Sequence, residues 1–106
     1  MMHSRREFQS LAIHRRIAGL LAQQPQQVIN KVNANLASWL KIHRGTALEV
    51  VYQEWRALLD SLTPNEIANL IVAEDEQATR LRQSSPFVGI LTPAEIWSIK
   101  RSHAAA

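Results

Sequence analysis

The chain has 106 residues, of which 46% are hydrophobic and 20% charged, with a formal net charge of +3. That length holds one domain with one modest core and leaves little material for a deep pocket. Cysteine is absent, which excludes a disulfide scaffold, a thiolate zinc site and a cysteine nucleophile and suits a cytoplasmic setting. No apolar run approaches the roughly 20 residues a bilayer span requires. The basic start Met1-Met2-His3-Ser4-Arg5-Arg6 leads into a segment interrupted by His14, Arg15 and Arg16 rather than into a secretory h-region. The expectation is a cytoplasmic protein with no membrane association.

In chain order, a first helix is predicted from Ser4 to Gln24. Phe8, Leu11 and Ala18 fall on one stripe, and Ile13, Ile17, Leu20 and Leu21 on a neighbouring one, so the apolar arc is wide enough to touch two partners. Pro25, at a first helical position, opens a second helix that runs to His43 and stops near Gly45. Its stripe of Val28, Ile29, Val32, Leu36, Trp39 and Leu40 predicts burial of Val32, Leu36 and Trp39. Thr46-Ala47-Leu48-Glu49 reads as a capping box, with the Thr hydroxyl accepting from an early N–H and the Glu reaching back. The helix it starts should run from Ala47 to Leu62, with Leu48, Val51, Tyr52, Trp55, Leu58, Leu59 and Leu62 on one face.

Thr63-Pro64-Asn65-Glu66 repeats the box with a proline and starts a fourth helix with Ile67, Leu70 and Ile71 inward. Glu74-Asp75-Glu76 interrupts the pattern as a solvated turn before a short helix to Gln83, which must end before Pro86. Glu76 stands four residues before Arg80, the favourable order for a helix ion pair. Residues 84–91 form an apolar loop. Thr92-Pro93-Ala94-Glu95 is the third box, opening a last helix to Arg101. The fold expected is all-α, a compact bundle of four to six helices in one domain over residues 1–101, with a frayed tail at 102–106.

Catalytic chemistry is hard to place. His3, His14, His43 and His103 make no metal motif, and His14 and His43 read as surface or interhelix residues. Ser84 and Ser85 lack a nucleophile elbow, and there is no glycine-rich phosphate loop. No enzyme activity, cofactor or metal is expected. Trp39, Trp55 and Trp97 read as core anchors, with Trp97 the one best placed to reach an interface.

Two segments carry binding signals. Arg80, Arg82, Ser84, Ser85, Pro86, Phe87 and Gly89 join basic residues at a helix end to an apolar loop. Either the arginines complement the helix dipole while Phe87, Ile90 and Leu91 plug the core, or the loop faces a partner. The other segment is the first helix. Residues 1–24 contain Arg5, Arg6, Arg15 and Arg16 against Glu7, and residues 25–106 contain eight basic and eight acidic residues, so the whole excess charge lies at the N-terminus. Arg5 and Arg6 oppose the dipole where they stand, which leaves a solvated face, an acidic partner surface or phosphates as readings.

The run Arg80-Leu81-Arg82-Gln83-Ser84-Ser85-Pro86-Phe87, then Gly89, Leu91-Thr92-Pro93, Glu95 and Trp97, resembles the C-terminal signature of small helical bacterial antitoxins encoded beside nucleotidyltransferase-like toxins. Leu11-Ala12-Ile13-His14-Arg15-Arg16, Asn35-Leu36 before Trp39, and Glu54-Trp55 ahead of Leu58-Leu59 extend the resemblance over most of the chain. It implies a protein–protein complex that blocks a cognate toxin. Arg5, Arg15 and Arg16 outside the signature, and Trp97 at its end, complete the contact candidates. The alternatives are a DNA-binding regulator acting on its own operator and a structural module that forms homo-oligomers.

Overall fold

A computed structural model describes residues 4–102, which form six α-helices and no strand. In order they are α1 (Arg5–Gln23), α2 (Pro25–Ile42), α3 (Ala47–Ser61), α4 (Pro64–Val72), α5 (Glu76–Gln83) and α6 (Pro93–Ser102). Ser102, expected in the frayed tail, belongs to α6. Residues 103–106, with His103, lie outside the described residues, as do Met1, Met2 and His3.

Local chemistry explains most boundaries. The Ser4 hydroxyl accepts from the Glu7 N–H and caps α1. Thr63–Glu66 and Thr92–Glu95 close both halves of their capping boxes. The box expected at Thr46 does not form. Thr46 instead donates its hydroxyl to the His43 carbonyl at 2.7 Å, closing the end of α2 rather than the start of α3. Gly45, at φ 82°, supplies the left-handed residue of that turn. The acidic triplet holds a cap that its charge disguises: the Asp75 carboxylate accepts from the Ala78 N–H at 2.8 Å and starts α5.

α1 is the hub, packed most extensively on α4 and also touching α2, α5 and α6, while α2 and α3 form a helical hairpin. The core collects Ile17 and Leu21 of α1, Val32 and Leu36 of α2, Trp55 and Leu59 of α3, Ile67 and Ile71 of α4, and Leu81 of α5. Val32 and Leu36 are buried as the stripe predicts. Trp39 is only half-buried: near the turn that joins α2 to α3 its ring tilts against Tyr52, whose ring also meets His43. Trp55 is fully enclosed, whereas Trp97 is 63% exposed and is no core anchor. α6 has no fully buried residue and rests on the core through half-buried Ile96 and Ile99.

Candidate functional site

The segment joining α5 to α6 is held by side chains from α1, α2 and α3. Phe87 and Leu91 belong to the core, and Pro86 is fully enclosed. The Phe87 ring lies edge-on between Trp55 (centroids 5.8 Å apart) and His14 (6.3 Å). The Asn35 side chain, from α2, donates to the carbonyls of Pro86 (2.9 Å) and Val88 (2.8 Å). Trp55 donates its indole N–H to the Leu81 carbonyl at 3.2 Å, tying α3 to the end of α5. Gly89, at φ 80°, completes the turn, and a Cβ there would come within 3.0 Å of the Lys31 side chain.

His14 is also one of these fastenings, buried rather than on the surface, and it links α1 to the loop. Its Nδ1 is 2.7 Å from the Ser10 carbonyl, an oxygen that can only accept, so Nδ1 carries the proton. Nε2 therefore accepts from the Ser85 hydroxyl at 2.8 Å, and that hydroxyl in turn accepts from the Phe87 N–H at 3.2 Å. The contact has the form of a serine–histidine pair, but its chemistry does not suit a nucleophile. Burial pushes the imidazole pKa down to about 4, so it is a poor base at neutral pH. No carboxylate stands behind the ring, where Nδ1–H meets a backbone carbonyl. The pair is a lock on the loop.

The two arginines of the signature have separate tasks. Arg82 is buried, and its guanidinium donates to the carbonyls of Ile71 and Ala73 and to the Thr79 hydroxyl. It thus closes the C-terminal end of α4, a different helix from its own. Burial lowers its pKa, against the opposing pull of Asp75 and Glu74. Arg80 is exposed and grips the Glu54 carboxylate of α3 with two hydrogen bonds of 2.9 and 2.8 Å, replacing the expected pairing with Glu76. That grip holds Glu54 below the usual carboxylate range.

Arg82, Pro86 and Phe87, expected as partner contacts, are thus enclosed, and Ser84 and Ser85 are half-buried. Arg5, Arg15, Arg16, Arg80, Gly89 and Trp97 remain exposed. Arg16 meets Glu95 at 3.5 Å and Arg15 meets Glu74 at 4.0 Å. Sequence reading overlooked Asn35 as a donor and Glu54 as a partner, although both lie in motifs it singled out.

A cleft of about 430 Å³ opens between the first turn of α1 and α5, lined by Arg6, Glu7, Ser10, Thr79 and Arg82 among others. Its charges are of both signs, and among the described residues no histidine lines it. Among the described residues no group of three or more acidic or histidine side chains could hold a metal ion, and no helix is long and apolar enough to cross a membrane. The class these features define is a six-helix bundle with an internally locked loop and exposed charged and apolar faces. No family model matches the chain, and neither a curated protein nor a solved structure matches it.

Proposed function

We propose that the protein is an antitoxin-type inhibitor, which neutralises a cognate toxin by protein–protein contact in the cytoplasm. A nucleotidyltransferase-like toxin is the partner class that the sequence resemblance implies. The observation that carries the reading is Trp97, 63% exposed on a helix that buries none of its residues completely. An indole left in water gains free energy when a partner covers it, and Trp is enriched among residues that dominate interfaces. Co-expression with the product of the adjacent gene tests this reading: a stable stoichiometric complex on size exclusion supports it, and two separately eluting proteins refute it.

The second reading is a DNA-binding regulator of its own operon. It is favoured by Arg5 and Arg6, which make no ion pair among the described residues. Phosphate contacts would give an affinity for the upstream duplex that falls steeply with salt.

A further inference from the structure

We propose that the cleft between the first turn of α1 and α5 is a binding site for a small molecule carrying one carboxylate. This goes beyond the inhibitor reading above and is independent of it.

At about 430 Å³ the cleft is large enough for a small organic ligand, since such sites span roughly 300–1,000 Å³. Its walls carry hydrogen-bond donors that the fold does not use. Arg82 is only 7% exposed. Its Nη1 donates to the Ile71 and Ala73 carbonyls and its Nη2 to the Thr79 hydroxyl, but its Nε–H has no partner among the described residues. No buried side-chain nitrogen or oxygen among those residues lacks a partner, so Nε is not sealed inside, and the opening beside it is the cleft. A planar guanidinium pinned on two carbonyls thus holds its remaining edge in a fixed orientation. The half-buried Ser10 hydroxyl lies 3.5 Å from Nδ1 of His14, which carries a proton, so its own O–H finds no acceptor there. Arg6 makes no ion pair among the described residues, and its charge opposes the dipole of α1, so helix stability does not account for it.

Charge and donor count decide the ligand. Arg6 and Arg82 against Glu7 leave the lining with one net positive charge. A carboxylate matches that charge, and its two oxygens suit the Arg82 Nε–H and the Ser10 hydroxyl, with the Arg6 guanidinium on the same wall. A phosphate monoester brings close to two negative charges at neutral pH and meets Glu7. It also brings a third oxygen, for which Thr79 is not free: its hydroxyl already donates to the Asp75 carbonyl and accepts from Arg82.

The test titrates sodium acetate into the full chain near neutral pH at constant ionic strength, followed by nitrogen–proton correlation spectra that resolve the arginine Nε–H groups. The Arg82 Nε–H signal shifts saturably with acetate and stays in place with sodium chloride. Arg6→Gln and Ser10→Ala each weaken acetate binding by about tenfold, the effect of losing one hydrogen bond to a charged group. Both variants keep the wild-type melting temperature, because Arg6 is exposed and His14 is held by the Ser10 carbonyl rather than by its hydroxyl. An Arg82 signal that does not move, or that moves linearly and equally with chloride, overturns the site. Equal acetate affinity in wild type and both variants overturns it as well. Inorganic phosphate binding more tightly than acetate overturns the assignment to a carboxylate.

Discussion

The Ser85 hydroxyl lies 2.8 Å from Nε2 of His14, joining a loop near one end of the chain to a helix near the other, 71 positions away. With the Ser85 hydroxyl as donor, the hydrogen bond requires a neutral ring. Burial lowers the His14 pKa from 6.5 to about 4, so the unfolded chain binds a proton that the native state refuses.

Stability should therefore be full above about pH 6.5 and fall as pH drops towards 4, where the unfolded chain holds more protons on this residue. Across that window the loss approaches roughly 3 kcal/mol at 1.36 kcal/mol per pKa unit. Carboxylates held low, such as Glu54, add their own loss only below about pH 4.5. Urea melts of wild type and His14→Gln between pH 7 and 4.5 check this. The wild type weakens across the interval and the variant stays flat; parallel curves would mean that His14 is not the titrating group.

Phe87→Ala should cost about 3–5 kcal/mol, the range for losing a buried aromatic side chain. Phe87 is 5% exposed and packs between Trp55 and His14. The loss should appear in the melting of the free protein. A variant that melts like wild type would free Phe87 to be an interface anchor and reopen that alternative.

Arg80 and Arg82, two residues apart, should behave oppositely. Arg82→Met leaves the Ile71 and Ala73 carbonyls without their charged donor, a loss of roughly 1.5–3 kcal/mol. Arg82→Lys should not recover it fully, since one ammonium cannot reproduce the planar fork. Arg80→Ala should change stability little, because its pair with Glu54 is solvent-exposed. Thermal melts of the three variants decide it, and equal losses for Arg80 and Arg82 would contradict the division of tasks.

What sequence could disclose here was local. Proline, Thr-x-x-Glu and glycine signals act within one turn, so the helix boundaries at Pro25, Pro64 and Pro93 were readable. Asp75 was readable in principle as an N-cap, but its acidic neighbours suggested a solvated turn. Thr46 matched a capping box and failed because two helix ends share a short turn there and compete for its hydroxyl. The lock itself was hidden: His14, Asn35, Trp55 and Ser85 come from three helices and a loop, and nothing in their spacing says that they meet. Trp97 is not the core anchor its helical spacing suggested, because α6 rests on Ile96 and Ile99, and a helix that only leans on a core leaves its other apolar residues outside.

The central claim is that the signature loop keeps the fold together while the exposed face of α6 meets the partner. One paired measurement on Trp97→Ala tests it most directly: the melting temperature of the free protein and its Kd for the co-expressed partner. The account predicts an unchanged melting temperature, because the indole is 63% exposed, and a Kd weakened by about 30-fold, the effect of losing an interface residue worth roughly 2 kcal/mol. A variant that melts markedly lower and binds as tightly as wild type would contradict it.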